Sequence, residues 1–344
     1  MRVGIYDDDT YFLNRVCEIL QEKSKGENEF IALLESDFFS KKSYGVDMLV
    51  VPKEMKEEAE NYRIPFMLLT EDKNDVLKNS NLYIYKYGNV NEYLKLIKNF
   101  YSMESLYSIE NDKRRNAKVI TFFSLGGGMG SSTLAAGASA YFTDTESKVL
   151  YINLKPFTNN GYLTVEQDNI SINELIFDIE KKAGKFNVLV HSIRQNKLGV
   201  SVLNNCNELK DFYNITGAQI NKLIHILDKL NRYSYIIFDI QASNLDCTYK
   251  ILECSDSICC VLDESPLGNE RIKNAILHLT NYNEDLISKI KVICNKCKTI
   301  PKLDKKIEGR IIGRIDRFEN FNSNEIIKKI ADMRIFDMLF KNNL

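Results

Sequence analysis

The sequence predicts an α/β protein built from two doubly wound parallel-sheet domains. Three observations carry that prediction. Short apolar runs alternate with helix-period stretches along the chain, the pattern of a parallel sheet with helices on both faces. Near residue 110 the alternation gives way to a charged stretch and then resumes, which marks a boundary. The length of 344 residues leaves room for two domains at about 100–200 residues each.

The first series opens with a strand, Arg2 to Tyr6, and a stretch in which Phe12, Val16, Ile19 and Leu20 are expected to share one helix face. Phe30 to Leu34, Gly45 to Val51, Pro65 to Leu69 and Leu82 to Tyr85 read as further strands bounded by polar turns, and Val90 to Tyr107 as a long helix. Residues 1–107 are thus expected to form one domain, 108–117 a linker and 118–344 the second domain. In the latter, strands are expected at Val119 to Ser124, Val149 to Asn153, Val188 to His191, Tyr235 to Ile240, Ser257 to Leu262, Lys291 to Asn295 and Gly309 to Gly313. At the far end, Glu325 to Phe340 places Ile326, Ile327, Ile330, Ile335, Met338 and Leu339 at roughly helical spacing. Asp332 and Asp337 dilute its basic face, which favours a packed terminal helix over a membrane-seeking one.

Composition narrows the function classes. Hydrophobic residues at 44% and charged residues at 27% place the chain among soluble globular proteins. A formal net charge of -1 supplies no global attraction to nucleic acid. The densest basic run, Lys291, Lys296, Lys298, Lys302, Lys305, Lys306, Arg310 and Arg314, is interrupted by Asp304 and Glu308 and has no accompanying aromatic series. It reads as a solvated loop and strand margin rather than a nucleic-acid surface. No apolar run approaches the roughly 18 residues of a membrane helix, and the chain opens on a strand rather than a signal peptide, so a cytoplasmic protein is expected. Its 8 cysteines form no paired framework, in keeping with a reducing compartment. Cys294 and Cys297 have CxxC spacing, but no second pair completes a zinc site, and packed, reduced thiols are expected there.

The chemistry concentrates after the strand Val119 to Ser124. It runs into Leu125, Gly126, Gly127, Gly128, Met129, Gly130, Ser131, Ser132 and Thr133, and Leu134 to Phe142 is helical. Glycines let successive amides curl toward an anion, and the helix amino terminus adds partial positive charge. On these residues the segment resembles the deviant Walker A loop of the ParA and MinD family of ATPases. The resemblance implies ATP and Mg2+ as ligands, with Gly127, Gly128, Met129, Gly130, Ser131, Ser132 and Thr133 around the phosphates and the Ser132 hydroxyl on the metal. It also places the family's signature lysine at Gly126 and its main P-loop lysine at Ser131, so both cations are absent. Losing a lysine removes a charge-assisted hydrogen bond of about 1.5–3 kcal/mol, yet amides remain to hold the phosphates. Hydrolysis suffers more, because it depends on cations placed where charge develops.

Later motifs extend the resemblance. Where the family has a strand ending in two aspartates, this chain has Asn153 and Lys155, an amide and a cation that argue against ordinary turnover. Lys155 either neutralises phosphate charge or stands as a solvated loop lysine. Tyr235, Ile236, Ile237, Phe238 and Asp239 resemble an intact Walker B strand, whose carboxylate holds magnesium through water. A cap on the next helix is the plainer role for Asp239. Lys291 to Asn295 resembles the strand whose terminal asparagine reads adenine, and Asp316 and Arg317, after the following strand, would flank the base.

In the first domain, Asp7, Asp8 and Asp9 follow the first strand, and Thr70 and Lys86 end later strands, as in a response-regulator receiver (flavodoxin-like) domain. The phosphoacceptor position falls at Pro52, so acyl-phosphate chemistry is excluded there, and the acidic trio reads as solvated carboxylates. A receiver-like domain ahead of a degenerate ParA/MinD-like domain resembles the TadZ and CpaE pilus-assembly family. That resemblance implies a cytoplasmic, ATP-binding homodimer that helps place a Tad (Flp) type pilus secretion apparatus, at the inner face of the membrane or a cell pole, with weak or no hydrolysis. Its partners would be pilus and secretion assembly proteins, with peripheral membrane contact and no nucleic acid. Two alternatives stand beside it: an active ParA/MinD-type ATPase cycling on DNA or membrane, and a docking adaptor with an empty, vestigial nucleotide site.

Overall fold

The computed structural model describes residues 1–34, 45–62, 64–78, 82–107, 115–156, 162–165, 169–181, 184–206, 208–243, 245–300 and 305–340. Residues 108–114 of the expected linker, and Lys302 and Asp304 of the basic run, lie outside them. The chain divides into two compact units, Met1–Ser108 with Lys182–Gly184, and Ile109–Lys181 with Lys185–Leu344.

The first unit runs β1 (Arg2–Ile5), α1 (Thr10–Lys23), β2 (Glu29–Ala32), β3 (Met48–Pro52), α2 (Lys56–Asn61), β4 (Phe66–Thr70), α3 (Lys73–Lys78), β5 (Tyr83–Tyr85) and α4 (Val90–Tyr107). Its strands pair in parallel in the order β2-β1-β3-β4-β5, the flavodoxin-like arrangement. Helix α1 buries Leu13, Val16, Cys17 and Leu20, an i, i+3, i+4, i+7 stripe. That stripe is rotated from the expected one, and Phe12 packs only at its edge. The acidic trio is not merely solvated, because each carboxylate has a separate structural task. Asp7 is buried and accepts from Lys86 Nζ at 3.0 Å, Asp8 accepts from the Tyr6 hydroxyl at 2.7 Å, and Asp9 caps α1 through the Phe12 amide at 3.0 Å. Burial opposes the charge on Lys86, but its hydrogen bond and attraction to Asp7 prevail and raise its pKa.

The second unit contains β6 (Lys118–Ser124), α5 (Ser131–Asp144), β7 (Val149–Leu154), α6 (Ile172–Lys181), α7 (Phe186–Ser192), β8 (Ser201–Leu203), α8 (Leu209–Asn214), α9 (Gly217–Lys229), β9 (Tyr235–Gln241), α10 (Asp246–Cys254), β10 (Ser257–Leu262), α11 (Pro266–Tyr282), α12 (Asp285–Lys289), β11 (Ile290–Asn295), α13 (Lys305–Glu308), β12 (Ile311–Ile315) and α14 (Ser323–Asp332). Its parallel sheet has the order β12-β11-β10-β6-β9-β7-β8. From β6 the chain runs out to β7 and β8, returns to insert β9 between β6 and β7, and then crosses to β10, β11 and β12 on the other side. The order thus reverses at β6, and a crevice opens at the carboxyl ends beside it.

Several strand expectations need correction, among them the strand expected from Gly45, which begins only at Met48. Val188 to His191 lies inside α7, where Phe186 and Val190 are the buried residues; a short apolar run has too few positions to separate the two periods. The edge strand of the sheet is instead β8, only three residues long. The last strand begins at Ile311 rather than Gly309, after the short α13. The basic run is also not wholly a solvated margin, since Lys291 is buried on β11, where burial and then Arg310 lower its pKa.

Helix α5 owes its burial on several sides to small residues. Ala135, Ala136, Gly137, Ala138, Ser139 and Ala140 are all buried, and a Cβ on Gly137 would collide with the Ile330 side chain of α14. The expected single terminal helix is two pieces, α14 and a 3-10 turn Ile335–Met338. Arg334 between them takes a left-handed φ of 51° that no helix continues through. Ile327, Ile330, Phe336 and Leu339 are buried in the same core as β6 and α5, and Phe336 sets its ring edge-on to Phe122 at 6.2 Å. Among the described residues no helix is long and apolar enough to cross a membrane.

Phe336→Ala is expected to reduce stability by about 3–5 kcal/mol, read from the midpoint of urea unfolding of the full chain; a change below about 1 kcal/mol would mean that the terminal turn does not belong to the core. Incubation with acetyl phosphate should leave the first unit without acid-labile phosphate, because β3 ends in Pro52 rather than a carboxylate.

Candidate functional site

Strand β6 delivers the chain into the glycine turn, where Ser124 Oγ donates to the Gly126 carbonyl at 2.6 Å. Gly128 and Gly130 adopt left-handed φ of 77° and 91°, which a side chain would resist. A Cβ on Gly127 or Gly128 would meet nothing within 4 Å, so this part of the turn faces open space. Gly130 caps α5 without a side-chain hydrogen bond, leaving the first-turn N–H groups of Ser131, Ser132 and Thr133 without an intrahelical acceptor. The turn borders a cavity of about 690 Å³, whose other walls include Lys155, Gln241, Asn295, Lys296, Asp316, Arg317 and Phe318. A larger cavity of about 940 Å³, along residues 191–198, is lined by neither the turn nor Asp239.

The floor of the site comes from β7 and β9. Their parallel register sets Asn153 opposite Asp239, and both are buried. Asp239 has no exposure, and one oxygen accepts from the Tyr151 hydroxyl at 3.0 Å while the other pairs with the Lys155 ammonium. Burial, then the charge of Asp239 and its hydrogen bond, push the Tyr151 phenol well above its ordinary range, so it stays protonated and donating. Lys155 is 8% exposed and is not the solvated loop lysine. Its ammonium donates to Ser131 Oγ at 2.9 Å and Ser132 Oγ at 2.8 Å, while Asn205 holds its carbonyl at 2.7 Å. One cation therefore joins the start of α5 to the end of β9. Removing one member of such a buried pair costs about 3–5 kcal/mol.

The opposite wall supplies the remaining sequence-predicted residues. Asn295 is buried, packs against Gly130 and donates its amide to the Met129 carbonyl at 2.7 Å, so it braces the turn. Asp316 and Arg317 line the cavity from the segment after β12; Asp316 is tied to Arg314, which also donates to the Cys297 carbonyl at 2.8 Å. Burial pushes the Cys294 and Cys297 thiols up to about 12 and about 11, so both remain neutral packing groups. Two cations meet the turn that sequence reasoning did not place there, Arg271 and Lys296, the latter read only as part of the basic run. The Arg271 guanidinium from α11 occupies the space that a side chain at Gly126 would enter, and Lys296 Nζ donates to the Gly128 carbonyl at 2.7 Å. Neither has a local signal, because each lies more than a hundred residues from the turn.

A magnesium ion shared by Ser132 and Asp239 does not fit the residues as they stand. The Lys155 ammonium already meets Ser132 and one Asp239 oxygen, Tyr151 meets the other, and the carboxylate has no exposure through which a water could bridge.

Comparison with known proteins identifies the family of the chain and the fold of its second unit. A family model described as an AAA domain matches residues 117–292, just over half of the chain and including the glycine turn and Asp239. The crystal structure of a ParA family ATPase from Chlorobium tepidum is 23% identical, with 66% of this chain and 96% of that one covered and a TM-score of 0.53. The MinD–MinC cell division complex of Aquifex aeolicus is 19% identical, with 65% and 94% covered and a TM-score of 0.51. No curated protein matches the chain. The chain belongs to the AAA domain family, and its second unit has the fold of the ParA and MinD ATPases.

Proposed function

We propose that this protein is an ATP-binding scaffold with weak or no hydrolysis, acting in localisation and assembly of a Tad (Flp) type pilus secretion apparatus. The nucleotide reading is carried by one observation: an open glycine turn at the head of α5, with uncapped amides facing a cavity of nucleotide size. Gly127, Gly128, Met129, Gly130, Ser131, Ser132 and Thr133 hold the phosphates in this reading, and Asp316, Arg317 and Phe318 stand where the base would lie. Asn295 contributes by bracing the turn.

Weak turnover follows from what surrounds those amides. Asn153 and Lys155 replace the two carboxylates of the resembled strand, and Asp239, the remaining one, is neutralised by Lys155. Neither carboxylate that the resemblance assigns to the metal shell and the attacking water is present on that strand. ATP then acts as a structural ligand that stabilises the state to which it binds.

The pilus role rests on the order of the chain, a unit of 2-1-3-4-5 sheet order ahead of a degenerate ParA/MinD-like unit. In this reading the first unit is a receiver-like docking domain without a phosphoacceptor, spanning 1–107 and linked through 108–117 to the nucleotide-binding domain of 118–344. The protein acts as a homodimer at the inner face of the membrane or a cell pole, among pilus assembly proteins.

Isothermal titration should give saturable ATP binding, while a phosphate-release assay of the same protein stays near background. Release that rises on adding DNA, lipid vesicles or a partner, and that Asp239→Asn abolishes, would establish the active ATPase instead. Absence of any binding signal would leave the docking adaptor with a vestigial site.

A further inference from the structure

We infer that Lys155 is the resident cation of this site, and that the turn takes a nucleoside triphosphate free of any divalent metal. The inference rests on the nucleotide reading above and concerns what neutralises the ligand. The Lys155 ammonium donates to Ser131 Oγ and Ser132 Oγ and forms an ion pair with Asp239, whose Oδ1 it meets as a charge contact without a hydrogen bond. Two of those three groups are the ones that would otherwise hold a metal ion. The third sits where a lysine of the turn itself would begin. A single side chain, arriving from the end of β7, therefore covers the ground of the metal ion and of the lysine missing at Ser131.

This arrangement leaves the ligand something to bind. A serine hydroxyl accepts through oxygen and still has one O–H to donate. Ser131 and Ser132 thus accept from Lys155 on their inner side and keep a proton for phosphate oxygens, polarised by the ammonium behind them. Lys155 also cancels the charge of Asp239, which has no exposure and would otherwise repel a polyphosphate across a medium of low dielectric. The open faces of Gly127 and Gly128 show that the side chain enters beneath the turn rather than filling it.

The position is also built rather than fortuitous. Asn205 fixes the Lys155 carbonyl, and the Tyr151 hydroxyl holds the second oxygen of Asp239, so neither charged partner turns away easily. Replacing the ammonium by magnesium would require Lys155 to leave both hydroxyls and to abandon a buried carboxylate.

Calorimetric titration of the full chain with ATP tests this, once in excess EDTA and once in excess magnesium. The unaltered protein should bind in EDTA with an affinity equal to or better than that in magnesium. Lys155→Met, checked for folding by circular dichroism, should lose about 10- to 100-fold in EDTA, the equivalent of one charge-assisted hydrogen bond, and recover part of the loss in magnesium. Lys155→Arg should keep metal-free binding. Binding by the unaltered protein only when magnesium is present would overturn this inference and leave the nucleotide reading intact. Absence of binding under both conditions would overturn both. The first comparison needs no variant, so a misfolded Lys155→Met protein does not blunt the test.

Discussion

A carboxylate without access to water needs a positive partner, and Asp239 organises the second unit around that need. It lies on β9, an interior strand of the parallel sheet between β6 and β7, with no exposure. Its compensation comes from Lys155 on the adjoining strand, and the same ammonium reaches the two serines that open α5. The turn, the helix behind it and the neighbouring strands β7 and β9 are thereby joined through one buried charge pair. Such pairs cost desolvation and return it only with good geometry, here assisted by the Tyr151 hydroxyl and the Asn205 amide.

The chain around this pair is shaped to bring α5 close to both its neighbours. Small residues from Ala135 to Ala140 let the helix lie on the sheet on one side and receive Ile330 of α14 on the other. The terminal segment then completes the core with Phe336 and Leu339. Its apolar residues are consistent with helical spacing but are spent on packing within this unit. The amino-terminal end of α5 consequently stands on a close-packed base, a condition for amides to be preorganised for an anion.

Cationic side chains reach the turn from outside it. Positions Gly126 and Ser131 carry no charge, yet Arg271, Lys296 and Lys155 approach the turn from three other elements. Each belongs to a different part of the sequence, and each touches the turn at a different point. A glycine at 126 makes room for the guanidinium in one case, and glycine at 130 makes room for Asn295 in another. The glycines therefore serve both the backbone conformation and the approach of these outside groups.

Much was legible in the residue order alone, because it is written in local periods. Alternating apolar runs marked nearly all the strands, and glycine spacing between β6 and α5 marked the turn, since φ of 77° and 91° call for glycine. Asp239 was legible as a carboxylate closing an apolar strand. Runs too short to show a period were misread, as at Val188 to His191, and the buried stripe of α1 was misplaced by a fraction of a turn. The partners of Asp7, Asp8 and Asp9, and above all the destination of the Lys155 ammonium, were decided only by the tertiary structure. A flexible side chain carries no periodic signal, and its partner is chosen by which strand ends meet across the sheet, a distance that sequence separation does not encode.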